Sequence, residues 1–508
     1  MFEQLVDKIP ARVWALLLLC AWGGAILWLG LVRFDAFGLD EGAATALLLN
    51  WSVVDQVVNP VTTYGGPDFR ALLFIPLGLY WSGNMVAAKV FAILVSFGAV
   101  LLLHTWGKRN GEQHADEAAL IATGLMLIAP ATLGLVDSMG SGPFLIALFG
   151  LGWILDNKYR ASPHTISSLY FVQTLLVAIT ITLHPMGLAY PLALAWHWYK
   201  NPKSEKQKQQ VWIGLAVATG IILAMQTGWM ALAWGENPLT SLSYAILGNS
   251  TGNPIDINPL AGILPALLLL VVVVKQYRQL LADLFGTTLL LALLLGLMAA
   301  DSNWALIALA VLLYSGVPLL IRANLALGVH AGFVGQRGLV MVSLLIVATV
   351  FMQADKGHVL FNDSGLLSPT DELIQALIPE AADPNKHFLA ASQWPARTML
   401  AVRADVLKLP PAAKDGVQLL ASMKGVTHVI FNHNDPDNTA LVQNFRDIAG
   451  ATVTLARQPG GVILALRDAP TKPLHAPKTA APVSSDTPEV LPPPSAAPAE
   501  AAPQAATP

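Results

Sequence analysis

Apolar runs close to 20 residues long recur along this sequence, and they decide what it can fold into. A run of that length crosses a hydrocarbon layer about 30 Å thick as a helix rising about 1.5 Å per residue. Inside lipid each backbone N–H and C=O must be satisfied within its own segment, which leaves the helix as the spanning element. Eleven runs read as spans, at about 13–31, 83–103, 117–135, 139–155, 167–183, 186–199, 211–234, 259–274, 280–299, 304–320 and 338–353. The fifth and sixth are short and meet at His184-Pro185, so they read as two half-spans or a re-entrant corner. Only 12% of the 508 residues are charged, against about 25% in a soluble domain. The expected fold class is a polytopic α-helical membrane protein.

Lys and Arg orient it. One set of loops holds Lys8, Arg12, Lys108, Arg109, Lys158, Arg160, Lys200, Lys203, Lys206, Lys208, Lys275, Arg278, Arg322 and Arg337. The opposite loops hold little beyond Arg33 and Arg70 before the C-terminal region. The bias places the first set in the cytoplasm, with the N-terminus inside as a retained signal anchor and the C-terminus outside. The outer loops carry acids instead: Asp35, Asp40, Glu41, Asp55, Asp68, Asp137, Glu236, Asp256 and Asp301.

Two outer loops are long, 32–82 and 235–258. The second is rich in Asn, Gly, Ser, Thr and Pro and reads as irregular. In the first, 42–58 reads as an interfacial helix, with Thr45, Ser52, Asp55, Gln56 and Asn59 near one face and Leu47, Leu48, Trp51, Val54 and Val58 on the rest. Residues 70–82 read as a second such segment, with Tyr80 and Trp81 at the interface.

After the membrane region, 1–353, charge density rises. Residues 354–468 alternate strands (HVLF, THVIFN, VTLARQPGGVILALR) with helices (DELIQALI, KDGVQLLASM, NTALVQNFRDIAG), which predicts a small extracytoplasmic α/β domain. Residues 469–508, mainly Pro, Ala, Ser and Thr, read as a disordered tail.

Several chemistries are excluded. A net charge of −3 offers no basic field for nucleic acid. The single cysteine, Cys20, can form neither an internal disulfide nor a thiolate cluster, and reads as core filler. No Walker loop, His-Glu metalloprotease motif or CxxC pair occurs.

The candidate site is the stretch 31–70, with Asp40-Glu41, a Gly-Gly-Pro turn and Arg70. Asp40 is a natural N-cap and Glu41 suits the first turn of the next helix. The same pair at an outer, half-enclosed position suits a general base. Arg70 reads as an interface anchor or as a phosphate ligand through its guanidinium fork. Lys89, early in the second span, reads as a snorkelling Lys or a functional cation. His184 reads as a structural His at a helix break or as a donor to phosphate. Asp137 reads as a cap of the fourth span or a second acid. Asp301 and Asn303 read as a turn, and Asn432, His433, Asn434 and Asp435 as turn chemistry rather than metal ligands.

This pattern resembles the GT-C glycosyltransferases, in the group of dolichyl-phosphate-mannose protein mannosyltransferases and the lipid A aminoarabinose transferase. The resemblance rests on the Asp40-Glu41 pair after the first span, the Pro/Gly-rich approach to the second span with Lys89 early in it, and 118–151 with an acid between two spans. It covers about 13–200; the later spans and C-terminal domain match in architecture only. It implies an inverting transfer of sugar from a polyprenyl-phosphate donor to a lipid, glycan or protein acceptor outside the cytoplasm, at a bacterial inner membrane. Asp40 or Glu41 would be the base, and Arg70 and His184 would hold the donor phosphate. No cofactor is required, though a divalent metal held by Asp40, Glu41 and Asp137 is open. The usual Pro-Pro after the basic residue is Ala71-Leu72 here. The rivals are a flippase or transporter, a polymerase or ligase of lipid-linked glycans, and a noncatalytic scaffold. A transporter needs acids at mid-membrane and paired broken helices; here the acids gather at one surface.

Overall fold

A computed structural model describes residues 11–28, 35–55, 85–110, 114–161, 167–200, 214, 238–239, 242, 262–299, 302–326, 368–383, 386–458 and 460–467. The helical part contains α1 (Ala11–Trp28), α2 (Glu41–Asp55), α3 (Met85–Asn110), α4 (Ala115–Ile128), α5 (Pro130–Asp137), α6 (Ser141–Ala161), α7 (Ser167–Leu183), α8 (Ala189–Lys200), α9 (Ile263–Leu280), α10 (Leu284–Leu295) and α11 (Ser302–Ala326). Among the described residues, three helical stretches are long and apolar enough to cross a membrane: Met85–Arg109, Ile263–Leu280 and Asn303–Ala323. The span expected at 338–353, and all but residue 214 of that at 211–234, lie outside the described residues, as do residues 70–82, the HVLF strand and the tail.

Helices α3 and α6 outrun their apolar runs because Lys108, Arg109, Lys158 and Arg160 extend the last turns, where cations suit the helix dipole. The third span is divided. Pro130 has no N–H and restricts Ala129 to extended backbone, so α4 stops and α5 restarts, with Thr132 Oγ1 donating to the Met126 carbonyl at 2.6 Å. At His184-Pro185 the chain turns through a 3₁₀ helix, Pro185–Leu188, and returns as α8. The contacts across this corner are nested as in an antiparallel hairpin: Tyr190 donates to Gln173, and Gly187 lies against the Thr180 backbone. A Cβ on Gly187 would fall 1.7 Å from the Thr180 carbonyl oxygen, so the close turn requires glycine. Cys20 lies on the exposed side of α1, not in the core expected for it. A small apolar residue suits a lipid-facing surface as well as a core.

The C-terminal part contains α12 (Pro369–Ala376), α13 (Ile378–Ala382), β1 (Ala390–Ser392), α14 (Pro395–Val402), β2 (Val406–Lys408), α15 (Gly416–Ser422), β3 (His428–Phe431), α16 (Thr439–Asp447), β4 (Thr452–Gln458) and β5 (Gly461–Leu466). The sheet order is β2-β1-β3-β5-β4. Strand β1 pairs in parallel with β2 and β3 (Ala390 opposite Val406 and His428), while β5 runs antiparallel to β3 and β4. The parallel pairs need crossovers, and α14 and α15 supply them.

Alternation along the strands divides the core. Ala391, Val429, Phe431 and Leu464 pack with Leu419 of α15, Met423 just past its end and Phe445 of α16. Ala390, Ile430 and Ile463 face the other way, onto Ala396, Met399 and Leu400 of α14. That second layer is continuous with Leu39, Ala43 and Ala44 and with the helical bundle. Helix α14 thus lies between the sheet and α2.

Candidate active site

Helix direction sorts the bundle into two ends. Lys108, Arg109, Lys158, Arg160, Lys200 and Arg278 lie in or next to last turns at one end. At the opposite end the Asp40 N–H donates to the Ser138 carbonyl at 2.9 Å, and the Gly142 N–H to Asn303 Oδ1 at 2.8 Å. Gly296, just past α10, lies against Met186 and Trp304. These contacts gather the start of α2, the α5–α6 turn, the His184 corner and the start of α11 at one end.

Asp40 is the N-cap of α2. Its Oδ1 accepts from the Ala43 N–H at 2.5 Å and its carbonyl from the Ala44 N–H at 3.0 Å. The approach is bent at Gly38, whose φ of 78° is left-handed, and Leu39 is buried. Helix α2 is described to Asp55, residues 56–58 of the expected segment lying outside the described residues, and it buries Ala43, Ala44, Ala46 and Leu48. The packed face is therefore an alanine stripe that lets α14 approach closely, rather than only the bulky apolar residues.

Glu41 turns away from its own helix. Its Oε1 accepts from the Ala396 N–H at 2.6 Å and its Oε2 from the Arg397 N–H at 3.2 Å. Helix α14 has Pro395 in its first turn, and its N-cap Trp394 provides no side-chain cap. Glu41 therefore caps α14 from more than 350 residues away, with its carboxyl oxygens at the positive end of the helix dipole. Burial pushes its carboxyl up to about 7, against the lowering effect of the two N–H groups and Arg397; Asp40 adds to the rise.

A second tie runs beside it. Arg397 Nη2 meets Asp371 Oδ1 at 2.7 Å, in a pair with 16% and 2% side-chain exposure. Asp371 Oδ2 accepts from the Gly38 N–H at 3.2 Å and from Ser368 Oγ at 2.7 Å. The Arg397 Nε is buried without a hydrogen-bond partner.

The other expected residues are distributed as follows. Lys89, in the second turn of α3 at the same end, is fully buried, so it does not snorkel. His184 is half-buried and its Nδ1 accepts from the Met186 N–H at 3.2 Å, which makes it the cap of the 3₁₀ corner. Asp137 closes α5, next to the Ser138 carbonyl that holds Asp40. Arg70 and Asp301 lie outside the described residues. Asn303 is more than a turn residue, since it is buried and bridges α11 to the start of α6. In 432–435, Asn434 N–H donates to Asn432 Oδ1 and Asp435 Oδ2 accepts from Gln393 Nε2, which is turn chemistry.

Asp371 and Arg397 escaped the sequence reading. The signals were weak: Trp394-Pro395 marks a helix start, but β1 is three residues long and Arg397 stands alone. Both Glu41 oxygens and Asp40 Oδ1 face N–H donors, and no group of three His, Cys, Asp or Glu residues is placed to hold a cation among the described residues.

No family model and no curated protein matches the sequence. Solved structures do. ArnT from Cupriavidus metallidurans in the apo state superposes with a TM-score of 0.51 at 11% identity, covering 88% of this chain and 97% of that one. ArnT bound to undecaprenyl phosphate gives 0.51 at 12% identity, covering 90% and 98%. An Archaeoglobus fulgidus oligosaccharyltransferase tethered with an acceptor peptide gives 0.46 at 12% identity, covering 90% and 74%. At such identities the ArnT likeness is one of fold, and it extends over nearly the whole of both chains: this protein has a membrane GT-C-like fold.

Proposed function

We propose that this chain is a membrane glycosyltransferase that moves a sugar from a polyprenyl-phosphate donor to an acceptor outside the cytoplasm. The observation that carries the reading is the fixing of Asp40. Three hydrogen bonds, from its own N–H to Ser138, from Ala43 to its carboxylate and from Ala44 to its carbonyl, hold it at the end of the bundle opposite the basic residues. Preorganisation of that kind suits a general base. Glu41 is committed through both oxygens to α14, so Asp40 is the base and Glu41 its support.

In the proposed step the acceptor's nucleophilic oxygen or nitrogen attacks the anomeric carbon and Asp40 takes its proton. The C–O bond to phosphate breaks on the far side, which inverts the centre, and the carrier phosphate leaves as an anion. Its charge is stabilised by Lys89, His184 and Arg70. In this reading residues 1–353 are the catalytic part, and the described C-terminal residues 368–467 meet it at the Asp40 end. The positive-inside bias supports a bacterial inner-membrane orientation with the N-terminus cytoplasmic. The fold of ArnT supports the class, and the undecaprenyl phosphate bound to ArnT in one of those structures suggests the carrier.

The test is turnover by the purified protein in detergent with a panel of undecaprenyl-phosphate sugars and product analysis. Transfer by wild type and its loss in Asp40→Asn, with insertion intact, is the expected result. Full turnover by Asp40→Asn would remove Asp40 as base. Movement of the lipid between leaflets without transfer would favour a flippase instead.

A further inference from the structure

We propose that Asp371, Arg397 and Glu41 form a clamp by which the C-terminal unit fixes the Asp40 segment, so that this unit is a working part of the site and not a cover over it. The inference rests on Asp40 being the base. Residues on both sides of Asp40 are gripped by the C-terminal chain. Two residues before it, the Gly38 N–H donates to Asp371; one residue after it, the Glu41 carboxylate accepts two backbone N–H groups of α14. Arg397 closes the circuit, because its backbone N–H reaches Glu41 while its guanidinium reaches Asp371. The loop Gly38–Glu41 is thus joined to 368–371 and 396–397 by a ring of hydrogen bonds.

Packing makes the ring stiff. Leu39 and the alanines 43 and 44 share one buried layer with Ala396, Met399 and Leu400, and that layer continues into Ala390, Ile430 and Ile463 of the sheet. A displacement of α14 would therefore carry Asp40 with it. From the helical bundle, the Ser138 carbonyl accepts the Asp40 N–H. Asp40 lies where the two halves of the molecule meet: its own helix holds the carboxylate through the Ala43 N–H, and the two halves together set where that helix start sits. These three are positioning residues: they reach the reaction through Asp40. A reacting group misplaced by about 1 Å can lose on the order of 100-fold in rate.

The experiment compares the full-length wild type with Arg397→Lys, the double variant Asp371→Asn/Arg397→Gln, and Asp40→Asn, using undecaprenyl-phosphate sugar as the donor probe and normalising to folded protein. The double variant leaves no unmatched charge, and Arg397→Lys keeps the charge but loses the fork. The expected result is a kcat lowered by about 10- to 100-fold in the double variant, and less in Arg397→Lys, with KM for donor within about 2-fold of wild type. A merely structural pair would lower the yield or the melting temperature and leave kcat of the folded fraction alone. Should the double variant not fold, Arg397→Lys carries the same split. Unchanged kcat beside an inactive Asp40→Asn overturns the clamp and spares the base. A raised donor KM at unchanged kcat also overturns it, by making Arg397 a donor ligand. An active Asp40→Asn removes the base reading itself, whatever the clamp variants do.

Discussion

Two carboxylates at opposite ends of the bundle each cap a helix, and they do so differently. At the basic end Asp283 caps its own helix: Oδ1 accepts from the Gly286 N–H at 2.7 Å and Oδ2 from Trp106 Nε1 at 2.8 Å. At the acidic end Glu41 caps a helix more than 350 residues away. The local cap joins its own helix to Trp106 of α3, all within the bundle. The remote cap ties the first outer loop to the C-terminal sheet, so placement of neighbouring groups depends on it. Burial is common to both ends, and the distance spanned along the chain separates a stabilising group from a positioning one.

The largest expected effect breaks the comparison if it fails. Asp40→Asn should lower kcat by about 10²- to 10⁴-fold, the range for loss of a general base. Asp283→Asn, at the other end, should leave turnover per folded molecule unchanged while lowering the melting temperature. Equal losses of kcat in both variants would mean that neither end is special.

Next comes Asp371→Ala, which leaves the Arg397 guanidinium nearly buried and unmatched. Breaking a buried pair on one side costs about 3–5 kcal/mol, measurable as a fall in the denaturant midpoint in detergent. Adding Arg397→Leu should recover much of it, since two apolar groups in place of a buried pair are often neutral or better. No recovery would show that the ring of hydrogen bonds, rather than the charge pair, holds the docking.

How much of this was legible in the sequence depends on whether the signal was local. Asp40 as N-cap, the helices around 371–376, 416–422 and 439–447, and the strands near 428–431 and 452–466 follow from periodicity and cap chemistry within a few residues. The end at which Asp40 and Glu41 lie followed from charge bias. The break at Ala129–Pro130 was legible in principle, but the apolar run across it read as one span. The start of α14 has a local mark in Trp394-Pro395, but the alanine face of α2 and the partners of Glu41 depend on contacts between residues more than 350 positions apart, and no pattern within either segment encodes them. The role of Arg397 follows only from Asp371 and Glu41 beside it, neither of which is its neighbour in sequence.

The pH response sharpens the comparison further. The Glu41 carboxyl lies near 7 in the folded protein against 4.5 for the free side chain, because burial outweighs its hydrogen bonds. At pH below 4.5 both states are protonated and the group contributes nothing. Between 4.5 and 7 the undocked state ionises while the folded state holds its proton, so stability falls as pH rises and levels off above 7. The penalty is on the order of a few kcal/mol. In thermal unfolding from pH 5 to pH 8, wild type should lose melting temperature relative to Glu41→Gln, which cannot ionise. A constant gap between the two curves would show that Glu41 titrates alike in both states.

The smallest effect belongs to the basic end. Asp156 accepts from Trp198 Nε1 at 2.8 Å and from Arg160 Nε at 2.7 Å, all within the turns of neighbouring helices. Asp156→Asn keeps an oxygen for the indole and loses only the charge facing a partly exposed arginine, which should cost about 1 kcal/mol and leave kcat unchanged. The variant is informative because Asp156 lies on α6, the helix whose first turn is bound to Asn303 at the acidic end. If Asp156→Asn instead lowered kcat at unchanged stability, α6 would be transmitting placement along its length. The division between a stabilising end and a positioning end would then have to give way to a single coupled bundle.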